Sequence, residues 1–145
     1  MFGPGGRMYV YLVYGLHHCM NVVVGAIDVP EAVLLRGLEP IFGIETMRER
    51  RGDGIPDAHL SRGPGNLTRA LGVDRSQDGA DLRRGPVRLL LPLPDRFPPV
   101  RRKDVVRSRR IGIEYAGAWA ARPWRFSVRN HPSVSRPPRP INERL

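Results

Sequence analysis

Cysteine is almost missing from this 145-residue sequence, with Cys19 the only one. No internal disulfide can form, and a reducing compartment is the natural expectation. Lysine is as scarce: Lys103 stands alone among 24 basic residues, and the rest are arginine. The lysine-rich, aromatic-poor tails of a basic structural protein such as a ribosomal component are therefore lacking. No apolar run reaches the roughly 18–20 residues that span a bilayer, and the first residues carry no basic secretory leader. His17, His18, His59 and His131 show no recognisable metal-ligand spacing, and no internal repeat is visible. What remains is a soluble, cytoplasmic chain, long enough for one domain with a real core. Its 41% hydrophobic share excludes wholesale disorder.

Acidic groups are sparse only in the second part of the chain. Residues 1–60 hold five arginines and seven carboxylates, a local charge of −2. Residues 61–145 hold nineteen basic groups and seven acidic ones, a local charge of +12. Such asymmetry favours a polyanionic partner, nucleic acid first, with a solvated basic face as the plainer alternative. Arginine suits the first reading, because its planar fork of donors matches phosphate oxygens.

Local patterns alternate between strand and helix. MFGPGG is a turn leading into an aromatic and β-branched strand that ends at Tyr14-Gly15. Residues 19–25 predict a second strand and AVLLRG a third, and their short connections favour antiparallel pairing. Ile41, Ile44 and Met47 then repeat at helical spacing up to Gly52, where Arg48, Arg50 and Arg51 complement the helix dipole. Residues 52–60 read as a polar loop. SRGPGNLTRALGV predicts a turn and a short helix stopped at Gly72, followed by a helical turn near Ser76–Leu82. PVRLLL predicts a strand, and four prolines between Pro92 and Pro99 predict a connection. A strand in RRKDVVRSRRIGI and a turn, short helix and strand in EYAGAWAARPWRFSVRN complete the pattern. The fold class is α+β: one mixed domain over 1–135, with a curved, mostly antiparallel, open-barrel-like sheet and peripheral helices. Residues 136–145 form a flexible Pro/Arg-rich tail.

On the first strand Tyr9 and Tyr11 share a face, and Tyr14 takes the opposite parity at the turn. Each alone is readily a packing residue. Combined with His17, His18, Asn21 and Arg36 they suggest base stacking, purine-edge reading and phosphate or water contacts. Gly63-Pro64-Gly65-Asn66 opens a short helix whose free amides can hold a phosphate, with Arg62 and Arg69 flanking it; helix capping explains the same block.

The blocks YVYLVYGLHHCMNVVV, AVLLRGLEP, GIETMRERR, GPGNLTRALG and RIGIEYAGAWAARPWRFSV resemble, in order, the alkyladenine (3-methyladenine) DNA glycosylase family. The resemblance runs from Met1 to about Ser135. It implies a base-excision repair enzyme that is monofunctional. Such an enzyme hydrolyses the N-glycosidic bond of an alkylated or deaminated purine flipped out of double-stranded DNA, without metal or cofactor, as a monomer, in a bacterial-type cytoplasm at the nucleoid. Tyr14 would wedge into the base stack, Tyr11 would wall the pocket, and Asn21 would exclude the exocyclic amino group of normal guanine. Arg36 would place the catalytic water with the Val87 carbonyl, and Arg62, Gly65 and Arg69 would hold the DNA backbone. The family's general base is a glutamate upstream of the MFGPGG block, and Glu31, Glu39, Glu45, Glu49, Glu114 and Glu143 do not match it. The chain is therefore expected to be N-terminally truncated and weak or inactive alone. The alternative is a non-catalytic DNA-binding remnant of the same family.

Overall fold

Alternate burial along the first strand sets the framework. Met8 and Val10 are buried while Tyr9 and Tyr11 stay partly open, so the strand has one core face and one face left for other work. The structure is a computed structural model that describes residues 1–90 and 99–138. The chain divides into two compact units, Met1–Leu91 and Pro92–Leu145, taken here in turn.

In the first unit, strands β1 (Met8–Val13), β2 (His17–Val23) and β3 (Ala32–Leu34) form an antiparallel sheet in that order. Its register pairs Tyr9 with Asn21, Tyr11 with Cys19 and Asn21 with Leu34. Helices α1 (Ile44–Arg51), α2 (Asp57–Leu60) and α3 (Pro64–Leu71) follow, with a 3-10 turn at Arg75–Gln77. The core gathers Met8, Val10, Met20, Leu67, Val73 and Leu82, with Val87 packed against it. Helix α3 is anchored on the sheet by Thr68, whose buried hydroxyl donates to the His18 carbonyl at 2.8 Å. Gly72 ends the helix in the left-handed conformation, φ 67, as the sequence predicts.

In the second unit, β4 (Val105–Ser108) pairs antiparallel with β5 (Arg125–Val128). A helical stretch in 3-10 geometry, Glu114–Ala121, connects them and is kinked at Gly117. The fold class is thus the expected mixed α+β one, with antiparallel sheets that, among the described residues, do not close into a barrel.

Local expectations fail in identifiable places. Residues 52–60 are not all loop, because Pro56 and Asp57 start the short helix α2; four residues are too few to show a period. Pro86–Leu90 forms no strand, and Leu89 and Leu90 are exposed; the bond from the Leu89 amide to the Leu82 carbonyl at 2.8 Å does not by itself make a ladder. The third strand stops at Leu34, and Leu35 continues only with a single bond from its amide to the Met20 carbonyl. The helical turn near Ser76–Leu82 is the 3-10 turn at Arg75–Gln77. Most of the 92–99 connection, Leu91 of the predicted strand and residues 139–145 of the tail lie outside the described residues. Among the described residues no helix is long and apolar enough to cross a membrane.

Candidate nucleic-acid interface and base pocket

The β1–β2 hairpin turns through Tyr14 and Gly15, with φ of 51 and 68. The Leu16 amide closes the turn on the Val13 carbonyl at 3.0 Å. Two successive positive φ values match the twist of a hairpin, and glycine meets them without strain. Tyrosine does not: a side chain with a Cβ in this region costs about 1–2 kcal/mol. The Tyr14 side chain recovers nothing by packing, since the residue is 88% exposed. A strained, solvated aromatic at a loop tip marks a contact residue more than a structural one. Leu16 stands beside it in the chain at 76% exposure. Leu16 is thus a second apolar residue at the tip, and its only sequence signal is an aliphatic directly after the turn glycine.

The open face of the hairpin gathers the remaining candidates. Tyr9 and Tyr11 stack at 5.3 Å between ring centroids, 28° apart, as their shared parity requires. Across the ladder from them sit Asn21 and Cys19, both buried. The Asn21 side-chain amide donates to the Tyr9 carbonyl at 3.0 Å, which fixes the amide plane and leaves its oxygen for another partner. Burial pushes the Cys19 thiol above its ordinary value, against opposing pulls from a Tyr11 hydrogen bond and the Arg36 charge. Tyr11, Cys19 and Arg36 therefore belong to one neighbourhood, with Asn21 on the same strand face. Cys19 was not among the expected site residues; its pairing with Tyr11 in an antiparallel register was the available signal.

Arg36 follows β3 and is half-buried. Its carbonyl accepts from the Gly63 amide at 2.9 Å, which ties this segment to the start of α3. Gly65, in the first turn of α3, is where the helix approaches the hairpin. A methyl group there would lie 3.0 Å from the His17 Cβ and 3.1 Å from its ring, so only glycine fits without displacement. His17 is thus a packing residue against the helix start. Arg62 contacts His59 at 3.0 Å through Nη1. Arg69 lies in the last turn of α3, and its Nε donates to the Arg50 carbonyl at 2.6 Å. Tyr11, Asn21 and Arg36 thus share one neighbourhood. Val87 packs on the core, and Arg69 is directed to the end of α1.

In the second unit the basic residues are not equivalent. Arg125 is buried, and its Nη2 donates to the carbonyls of Ser135 at 2.5 Å and Arg136 at 2.8 Å. It is a structural clamp and not the phosphate contact that a basic segment suggests. Among the described residues no group of three His, Cys, Asp or Glu side chains gathers as for a metal.

Comparison with known proteins gives a consistent picture. The family model described as methylpurine-DNA glycosylase (MPG) matches residues 1–132. A protein of Anaeromyxobacter dehalogenans, provisionally named a 3-methyladenine DNA glycosylase, is 50% identical over 139 residues, covering 95% of this chain and 57% of the relative. A relative of the same provisional name from an Anaeromyxobacter species is 47% identical, covering 95% of this chain and 62% of the relative. Another, from Methanoculleus marisnigri, is 43% identical, covering 94% of this chain and 68% of the relative. The chain thus spans 57% and 62% of the length of the first two.

Proposed function

The chain belongs to the methylpurine-DNA glycosylase family, and from that premise we propose that it serves base-excision repair by hydrolysing the N-glycosidic bond of alkylated or deaminated purines extruded from duplex DNA. The observation that carries the reading is the Tyr14 tip, 88% exposed on the same hairpin as the Tyr11–Asn21 face.

Removing a base from its stack costs a few kcal/mol, least for damaged or mismatched bases. Tyr14 enters the vacated space and stacks on the neighbouring bases, which returns roughly 1–3 kcal/mol. The extruded purine lies against Tyr11, whose electron-rich face favours a cationic alkylated base. Asn21, fixed by its bond to the Tyr9 carbonyl, sits on the pocket floor and disfavours the amino group of normal guanine. An alkylated purine leaves readily, so the protein must mainly place a water and stabilise a sugar that is gaining positive charge. Arg36 holds that water from the edge of the pocket with the Val87 carbonyl, and Arg62, Gly65 and Arg69 engage backbone phosphates. No metal or cofactor takes part, and the enzyme is monofunctional, leaving an abasic site without cutting the strand.

We assign the general base to none of the chain's glutamates, since none matches the family's position. A general base is worth about 10²–10⁴-fold in rate. The test is base release from duplexes carrying hypoxanthine or an alkylated purine, measured for this chain and for a version extended to its relatives' length. The extended protein is expected to turn over and the 145-residue chain to bind with little product. Equal activity in both defeats the assignment of the base; no activity in either defeats the enzyme reading and leaves a DNA-binding protein.

A further inference from the structure

The chain's two tryptophans, Trp119 and Trp124, both lie in the second unit. Their ring centroids are 5.5 Å apart with the planes tilted by 35°. They are 56% and 48% exposed. Each carries an arginine on its ring: Arg122 stands 5.6 Å from the Trp119 centroid and Arg110 stands 5.3 Å from that of Trp124. Arg110 also donates from Nη2 to the Trp119 backbone carbonyl at 3.0 Å, which ties the guanidinium on Trp124 to the segment that carries Trp119. A third pair repeats the pattern, with Arg107 5.4 Å from the centroid of Phe126, itself 61% exposed.

Indoles left half in water forgo much of the stabilisation that burial brings. Here they are held in place by cations and not by a core. The surrounding charge is one-sided: residues 99–138 contain ten basic groups and two acidic ones. A partner must therefore supply negative charge at intervals and flat π surfaces between the charges. An acidic peptide supplies only the first. A base-paired duplex supplies phosphates but hides the base faces. An unpaired strand supplies both.

We propose that this face binds single-stranded DNA, with bases stacking on Trp119 and Trp124 and phosphates meeting Arg107, Arg110 and Arg122. The site needs neither a damaged purine nor the hairpin tip, so it stands or falls apart from the excision reading.

The experiment titrates the full chain with an oligothymidylate, which contains no purine to excise. Because both tryptophans sit at the proposed site, intrinsic indole fluorescence reports its occupancy. Saturable quenching is expected, and the double variant Trp119→Ala/Trp124→Ala should bind the labelled oligonucleotide about tenfold or more weakly. Trp119→Phe/Trp124→Phe should restore most of the affinity. Heparin, a polyanion without bases, should bind the wild type and the alanine variant equally and quench little. Three outcomes overturn the proposal. One is binding of the oligonucleotide without quenching, and another is unchanged affinity in the alanine variant. The third is a wild-type dimer that those alanines dissociate, which would make the face an interface between copies.

Discussion

The two units are held together by opposite means. In Met1–Leu91 the buried interior is largely aliphatic, with Leu60, Leu67 and Ala70 fully enclosed. Basic and acidic groups there nearly cancel, eleven against ten. In Pro92–Leu145, thirteen basic groups face four acidic ones. Among its described residues the buried side chains are Ser108, Arg125 and Ser133, all polar. The first unit excludes water and can aim a few side chains accurately; the second organises cations over aromatic rings and leaves both accessible. Packing density suits recognition of one base, whereas a charged, stacked surface suits a strand without regard to sequence.

The contrast breaks most easily in the first core. Leu67→Ala should destabilise the first unit by about 2–5 kcal/mol, read as a lower denaturation midpoint by circular dichroism. The indole signal comes only from the second unit and should keep its midpoint. If both signals shift together, the units unfold as one domain and the contrast is one of surface alone. The reciprocal change is Arg125→Ala. It strands the Ser135 and Arg136 carbonyls and removes a charged donor, a loss of about 1.5–3 kcal/mol, which should now appear in the indole signal. Arg125→Lys keeps the charge but loses the fork, whose Nη2 holds both carbonyls while Nη1 reaches the Ser108 hydroxyl, so it should recover only part of the loss.

A smaller effect separates stability from function within the hairpin. Tyr14→Gly relieves the positive φ and should raise stability by about 1 kcal/mol. The same change should weaken binding to a lesion-bearing duplex about tenfold, because the stacking wedge is gone. A variant that is both more stable and equally tight in binding would remove Tyr14 from the interface.

Much of this was legible from alternation and turn chemistry. Tyr9 and Tyr11 had to share a face, Tyr14-Gly15 had to be a turn, and the glycine-bounded helix at Pro64–Leu71 had both its ends written in the sequence. Features decided by tertiary partners were not legible. Nothing local says that Arg125 is buried, since a guanidinium satisfied by carbonyls and one facing solvent have the same sequence signature. The PVRLLL segment looked like a strand, but among the described residues its bond from the Leu89 amide to the Leu82 carbonyl is not extended into a ladder. The Tyr11–Cys19–Arg36 neighbourhood depends on the register of two strands and on a bond between Gly63 and Arg36, which no single segment encodes. Gly65 was legible as a helix opener, but its close approach to His17 was not.

The smallest expected effect tests whether charge matters at all to the near-neutral unit. The Asp81 carboxylate accepts from the Arg83 side chain at 2.9 and 3.1 Å and from its backbone amide at 2.8 Å. These bonds, the side-chain one foremost, hold its pKa far below the usual aspartate range. A carboxylate depressed in this way stabilises the fold at any pH above the ordinary aspartate value. That contribution fades as acid carries the pH down from there toward the folded-state value. Arg83 is largely exposed, so water screens the pair and the contribution is small. Asp81→Asn should therefore lower the midpoint slightly at neutral pH, less than Arg125→Ala does, and the gap from wild type should close in strong acid. Added salt should narrow the same gap at neutral pH. A gap that persists in acid would mean that Asp81 acts through the shape of its turn, and that even this local ion pair contributes nothing to the aliphatic unit beyond geometry.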